Sequence, residues 1–208
     1  IEAAHARGIT VTDATCPDVQ LVQRKAIELA EEGYTVVVVG KKDHPEVIGI
    51  TAFAGQVPNA RIVAINACED IASKLEDLPK RRIGVVSQTT QMEENFFDIV
   101  KELSKVAKEL KVFNTICPAT FFRQNAALEL AQKVDYMVVV GGKNSSNTTH
   151  LAKICQEQGT PVVHIETYKE LLGNTELEAS QTVGITAGAS TPDWLVEEVQ
   201  DYLRNLSD

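Results

Sequence analysis

Apolar positions along this chain follow two alternating patterns. Short runs such as Val36 to Val39 and Met137 to Val140 are apolar without interruption and are bounded by Gly or polar residues. Between them lie longer stretches in which apolar residues return at helical spacing, as at Leu21, Val22, Ala26, Leu29 and Ala30. Uninterrupted short runs suit strands buried on both faces, and their alternation with helices predicts a parallel sheet covered on both sides. The expected fold class is therefore α/β.

The pattern occurs twice. Ala14-Thr-Cys-Pro through Glu46 superposes on Thr115-Ile-Cys-Pro through Asn147 at a constant offset of 101, so that Cys16-Pro17 falls on Cys117-Pro118. Downstream, Ala26-Ile-Glu-Leu-Ala lies on Ala127-Leu-Glu-Leu-Ala. With an offset of 100, Ile83-Gly-Val-Val-Ser lies on Val183-Gly-Ile-Thr-Ala. Two similar parallel-sheet α/β repeats are expected, at residues 1–113 and 114–208, joined by a connecting helix from Phe96 to Leu110. Ile9-Thr-Val-Thr-Asp before Cys16 mirrors Leu110-Lys-Val-Phe-Asn before Cys117, so residues 1–8 read as the tail of a helix closing an earlier repeat. On this reading an upstream copy is missing.

Composition narrows the function. A chain of 208 residues with 44% hydrophobic content is long enough for a substantial core, and no run approaches the ~20 apolar residues of a membrane helix. A net charge of -9 disfavours nucleic-acid and membrane-surface partners, and an anionic ligand would need a local cluster of donors. The opening Ile-Glu-Ala-Ala-His has no signal-peptide layout, so a cytoplasmic setting with reduced thiols is expected.

In an open parallel sheet, ligands bind beyond the carboxyl ends of the strands, where helix N-termini offer backbone donors. Pro17 and Pro118 suit a first helical position, placing Cys16 and Cys117 at helix N-caps, where the helix field favours thiolate. Their recurrence points to ligands; Cys68 and Cys155 have no counterparts and are assigned to packing. Asp43-His44-Pro45-Glu46 and Asn144-Ser145-Ser146-Asn147 occupy the next strand end in the two copies. The first offers an imidazole beside a carboxylate, an acid-base pair, and the second is rich in N-capping residues. Ser87-Gln88-Thr89-Thr90 and Thr186-Ala-Gly-Ala-Ser190-Thr191-Pro192 follow later strands. There Pro192 predicts a helix start capped by Ser190 or Thr191. His5 reads as exposed, His164 as a strand residue and His150 as structural.

Ala14-Thr-Cys-Pro, His44-Pro45-Glu46, Gln88-Thr89-Thr90, Thr115-Ile-Cys-Pro-Ala-Thr120, Lys143-Asn-Ser-Ser-Asn147 and Thr186-Ala-Gly-Ala-Ser190 occur in this order along the chain. The set resembles the 4-hydroxy-3-methylbut-2-enyl diphosphate reductase family of the non-mevalonate isoprenoid pathway. The resemblance implies three similar α/β units in pseudo-threefold arrangement around a 4Fe-4S cluster held by one cysteine from each. It implies reductive dehydroxylation of an allylic diphosphate to isopentenyl and dimethylallyl diphosphate, with electrons from a donor such as ferredoxin or flavodoxin. By position, Cys16 and Cys117 correspond to two cluster ligands. Glu46 corresponds to the proton donor, assisted by Thr89 and His44, and Ser145, Ser146, Asn147 and Ser190 to the diphosphate-binding set. The third cysteine has no counterpart, so the fragment is expected to be inactive alone, with an open edge on its last sheet. Two other readings stay open: a non-catalytic phosphometabolite-binding α/β module, and a redox scaffold in which Cys16 and Cys117 form a disulfide.

Overall fold

The computed structural model describes residues 2–174, 177–178 and 181–206 and separates into two compact units, Ile1–Thr89 with Asn95–Thr115, and Thr90–Glu94 with Ile116–Asp208. In chain order the first half contains α1 (Glu2–His5), α2 (Pro17–Glu31), β1 (Thr35–Val39), α3 (Pro45–Ala54), β2 (Arg61–Ile65), α4 (Asp70–Lys74), β3 (Arg82–Ser87), α5 (Glu93–Val106) and β4 (Glu109–Val112). The second contains α6 (Pro118–Ala131), β5 (Tyr136–Val140), α7 (Ser146–Glu157), β6 (Val162–Ile165), a 3-10 turn (Tyr168–Leu171), β7 (Val183–Ala187) and α8 (Asp193–Asn205). Both sheets are wholly parallel, in the orders β2-β1-β3-β4 and β6-β5-β7. The repeat extends to register: Thr35 pairs with Ile83 in one sheet, and Tyr136 with Val183 in the other.

The uninterrupted apolar runs become the central strands, because alternate side chains enter different cores. In β5, Met137 and Val139 pack with Ala127, Leu151 and Cys155 from α6 and α7, whereas Tyr136, Val138 and Val140 pack with Leu171 and Val199 on the opposite face. In β1, Val36 and Val38 join the core formed with α2 and α3. A recurring glycine lets a helix press against the neighbouring strand. A Cβ on Gly84 would lie 2.6 Å from a Leu29 methyl, and one on its counterpart Gly184 would meet Leu130 and Met137. Thus helix-to-sheet distance is set at the same point of each copy.

Two local expectations are corrected. The helical period at Phe96, Ile99 and Leu103 ends with α5 at Val106, and Leu110 lies in β4 instead of in a connecting helix. Polar and apolar residues alternate from Glu109 to Val112, as an edge strand requires, and side chains hold it there: Arg82 Nε donates to Glu109 at 3.0 Å, and the Tyr34 hydroxyl donates to the same carboxylate. Residues 9–13, the sequence counterpart of this segment, form no strand. Finally, α8 starts at Asp193 with Pro192 as its N-cap; Thr191 Oγ1 instead donates to the Val140 carbonyl at 3.1 Å. Pro192 has an extended ψ of 142°, which holds it just outside the helix. Among the described residues no helix is long and apolar enough to cross a membrane.

Candidate active site

In the first unit, polar residues gather at the carboxyl ends of β1 and β3. Cys16 is the N-cap of α2, with Pro17 at the first helical position, and is exposed. At the next helix His44 is the N-cap, its Nδ1 accepting the backbone N–H of Glu46 at 3.2 Å. Accepting at Nδ1 leaves the neutral ring's proton on Nε2. His44 and Glu46 therefore meet through the Glu46 backbone.

The Glu46 carboxylate is held by one residue. Thr89 donates its backbone N–H to Oε1 at 2.7 Å and its hydroxyl to Oε2 at 2.9 Å. Burial pushes the Glu46 carboxyl above the ordinary value, and the two Thr89 bonds and the nearby His44 offset this only in part. Because the Thr89 hydroxyl can donate or accept, the pair accommodates both the carboxylate and the acid. Gln88, buried at 2% exposure, anchors this loop by donating its backbone N–H to the Val39 carbonyl at 2.8 Å. Its side chain accepts from the backbone N–H of Lys41 at 3.4 Å, linking the two strand-end loops.

The second unit makes the corresponding helix start differently. Cys117 occupies the N-cap position of α6 as Cys16 does that of α2, again followed by proline and without a side-chain capping bond. Ser145 caps α7, its hydroxyl accepting from the Thr148 backbone N–H at 3.4 Å, so one member of the expected set does ordinary capping. Ser146 and Asn147 do not: both are buried, and the Ser146 hydroxyl and both polar atoms of the Asn147 amide have no hydrogen-bond partner. Leaving a buried donor or acceptor unmatched costs about 1–3 kcal/mol. Such atoms suit a polar ligand. Gly141, at φ 143°, lets the adjoining loops close on this helix start; a Cβ there would lie 2.6 Å from Thr191 Oγ1 and 2.9 Å from Thr148 Oγ1. Ser190 is exposed on the loop that carries Thr191.

A family description, LytB protein, matches residues 1–204. The chain belongs to the LytB family. Among its relatives, the 4-hydroxy-3-methylbut-2-enyl diphosphate reductase of Aquifex aeolicus (strain VF5) is 44% identical over 205 residues, covering 99% of this chain and 69% of the relative. That of Pelobacter propionicus (strain DSM 2379 / NBRC 103807 / OttBd1) is 46% identical, covering 100% of this chain and 71% of its own length. A solved structure of (E)-4-hydroxy-3-methyl-but-2-enyl diphosphate reductase, described as the terminal enzyme of the non-mevalonate pathway, superposes with a TM-score of 0.64 at 44% identity, covering 98% of this chain and 71% of that one. The E-1-hydroxy-2-methyl-but-2-enyl-4-diphosphate reductase from Plasmodium falciparum superposes with a TM-score of 0.84 at 28% identity, covering 100% of this chain and 63% of that one.

The surroundings of the four cysteines separate them into two kinds. All four are free thiols. Cys155 is fully buried, and burial pushes its thiol up to about 11. Cys68 is also raised, by burial and then by Asp98, Glu102 and Glu69. Neither is disposed to become thiolate, whereas Cys16 and Cys117 stand at the N-caps of helices that begin with proline, Cys16 exposed and Cys117 partly so. The donor chemistry fits two thiolate ligands. Among the described residues no three His, Cys, Asp or Glu side chains converge on a metal position.

Several residues with clear roles here carried no separate sequence signal. His164 Nε2 lies 2.9 Å from the Gly141 carbonyl, and His150 Nδ1 3.0 Å from that of Thr90. A carbonyl only accepts, so each nitrogen carries the proton. Thr115, read within the Cys117 motif, both accepts from and donates to the Ser87 backbone at 2.8 Å. Gln124 of α6 is buried with an unmatched Nε2.

Proposed function

We propose that this chain carries the proton-donor and diphosphate-binding apparatus of a reductase that converts 4-hydroxy-3-methylbut-2-enyl diphosphate to isopentenyl and dimethylallyl diphosphate. Glu46, Thr89 and His44 are the acid-base group; Ser145, Ser146, Asn147 and Ser190 receive the diphosphate; Cys16 and Cys117 are two ligands of a 4Fe-4S cluster. The third cysteine ligand implied by the family has no counterpart in residues 1–208. When bound, such a cluster supplies electrons singly and an open iron that acts as a Lewis acid toward the departing hydroxyl.

The overall change breaks one C–O bond. Two electrons and two protons convert the alcohol to a C–H bond and water. Glu46 suits proton delivery, since burial keeps its carboxyl protonated to higher pH than a surface glutamate. Its acid proton can be donated to Thr89 Oγ1, which stands 2.9 Å from Oε2, while the Thr89 N–H holds the other oxygen in place. Ser146 and Asn147 offer neutral donors, at the start of a helix whose free N–H groups also favour an anion. Neutral donors explain how a chain of net charge -9 accepts a diphosphate. Ferredoxin or flavodoxin is the class of electron donor expected.

The Glu46–Thr89 pair carries this reading, because a passive phosphate-binding module has no use for a desolvated, protonatable carboxyl. The test is anaerobic reconstitution with iron and sulfide, read by visible absorption and by turnover of the allylic diphosphate, on this chain with and without an upstream repeat supplied. Cys16→Ser and Cys117→Ser should abolish the chromophore in whichever form holds it. Glu46→Gln should leave the chromophore and remove turnover. A chromophore that survives both cysteine changes would overturn the cluster assignment.

A further inference from the structure

Lys143 is the cation adjoining the Ser146 and Asn147 donors, and simple electrostatics would assign it to the phosphate. The structure sends it elsewhere. Its ammonium donates to Glu170 in the 3-10 turn after β6. The other Glu170 oxygen accepts the backbone N–H groups of Glu166 at 2.7 Å and Thr167 at 3.3 Å. Glu166 in turn accepts the backbone N–H of Lys143 at 2.9 Å. These bonds form a closed ring between the β5–α7 loop and the segment following β6.

The loop is tied at further points. His164 donates to the Gly141 carbonyl, Ser145 N–H donates to the Gly142 carbonyl at 2.9 Å, and the Thr149 hydroxyl donates to the Lys143 carbonyl at 3.4 Å. Every tie lies outside the pair of unmatched side chains. Ser146 and Asn147 make no side-chain bond of their own, so their placement depends on this framework. The Lys143–Glu170 pair is largely exposed, and such a pair contributes only about 0–1 kcal/mol to stability. Its effect is therefore sought in geometry.

We propose that Lys143 and Glu170 are positioning residues for the diphosphate cradle: their ion pair fixes the β5–α7 loop so that Ser146 and Asn147 face the phosphate, and Lys143 does not bind the phosphate itself. The proposal rests on the reading of Ser146 and Asn147 as diphosphate donors. A direct phosphate-binding role for Lys143 makes the opposite prediction, because cutting its tie to Glu170 would free the cation and tighten binding.

Calorimetric titration with inorganic pyrophosphate, on wild type, Lys143→Met, Glu170→Gln, the double variant, Lys143→Arg and Asn147→Ala, separates these outcomes. Glu170→Gln keeps an oxygen for the two backbone donors and removes only the charge. Each of Lys143→Met and Glu170→Gln is expected to weaken binding about 3- to 10-fold, and the double variant no further, since both remove one interaction. Lys143→Arg should recover binding to within about 2-fold, a rescue that general loss of folding would not show. Tighter binding by Glu170→Gln, or full additivity in the double variant, would overturn the proposal in favour of a direct ligand. Unchanged affinity in both singles while Asn147→Ala weakens binding sinks the positioning role alone. If wild type does not bind pyrophosphate, or Asn147→Ala leaves binding unchanged, the cradle reading falls and this proposal with it.

Discussion

At the ends of β1 and β5 the chain makes the same structural move, strand to loop to helix, with opposite chemistry. The first copy places Glu46 in the first turn of α3 and supplies both of its oxygens with Thr89 donors. The second places Ser146 and Asn147 in the first turn of α7 and supplies their side chains with nothing. A buried carboxyl must be matched internally, since an unmatched one would cost several kcal/mol and distort its own protonation. Neutral donors can be left open at about 1–3 kcal/mol each, a cost that a bound anion offsets. One repeat position thus yields a carboxyl matched within the protein, and the other buried polar side chains left unmatched, the contrast on which the proposed roles rest.

Removing the reagent should have the largest effect. Glu46→Gln retains shape and an acceptor for Thr89 N–H but has no proton to give, so turnover by the cluster-loaded enzyme should fall about 10²- to 10⁴-fold. Affinity for pyrophosphate should change little. Equal losses in both measurements would mean that Glu46 serves the cradle, and the contrast between the two helix starts would collapse.

Next in size are the open donors. Ser146→Ala and Asn147→Ala should each weaken pyrophosphate binding roughly 10-fold, as expected for a lost hydrogen bond to a charged group. Their effect on folding should run the other way from a loss at Glu46. Asn147→Leu replaces two unmatched buried atoms with apolar ones of similar volume, and should stabilise the unliganded protein by about 1 kcal/mol while abolishing binding. Glu46→Leu strands the Thr89 donors and should destabilise it by a comparable amount. Urea denaturation measures both. The same sign for the two would show that Asn147 is matched by protein in solution.

How far this was readable without coordinates differs by level. The strand–helix alternation within each unit and the N-cap cysteines follow from local signals, an apolar run or a Cys-Pro pair, that recur at fixed offset, whereas strand order does not. The β4 strand was missed because its alternation is short and its place depends on Arg82 and Tyr34, distant in sequence. Asn144 to Asn147 reads as a cap, yet only Ser145 caps; one residue's shift along a helix start turns a side chain away from its own backbone, and four capping-prone residues in a row do not reveal which does which. The Lys143–Glu170 and His164–Gly141 ties join segments far apart in the chain, and nothing in the charge pattern distinguishes Lys143 from a phosphate ligand. The Glu46–Thr89 pair was expected through the family likeness. The physical ground for it is that β1 and β3 are neighbours in register, which brings their carboxyl-end loops together.

The smallest effect, and the finest test of the contrast, is pH dependence. The folded Glu46 carboxyl lies above the ordinary glutamate value of 4.5 because burial disfavours the anion. Between that value and the raised folded one, the native Glu46 keeps a proton that the unfolded chain has lost, so its contribution to stability falls as pH rises through the window and is constant outside it. Glu46→Gln should flatten this segment of the stability profile, while Asn147→Ala, which removes no titrating group, should leave its slope unchanged. Urea midpoints followed from pH 4 to 8 in the three proteins would check it. A wild-type-minus-Glu46→Gln difference that rises with pH would mean that the Thr89 bonds outweigh burial; Glu46 would then be a structural carboxylate, matched as fully as its geometry suggests and unfit to carry a proton near neutrality.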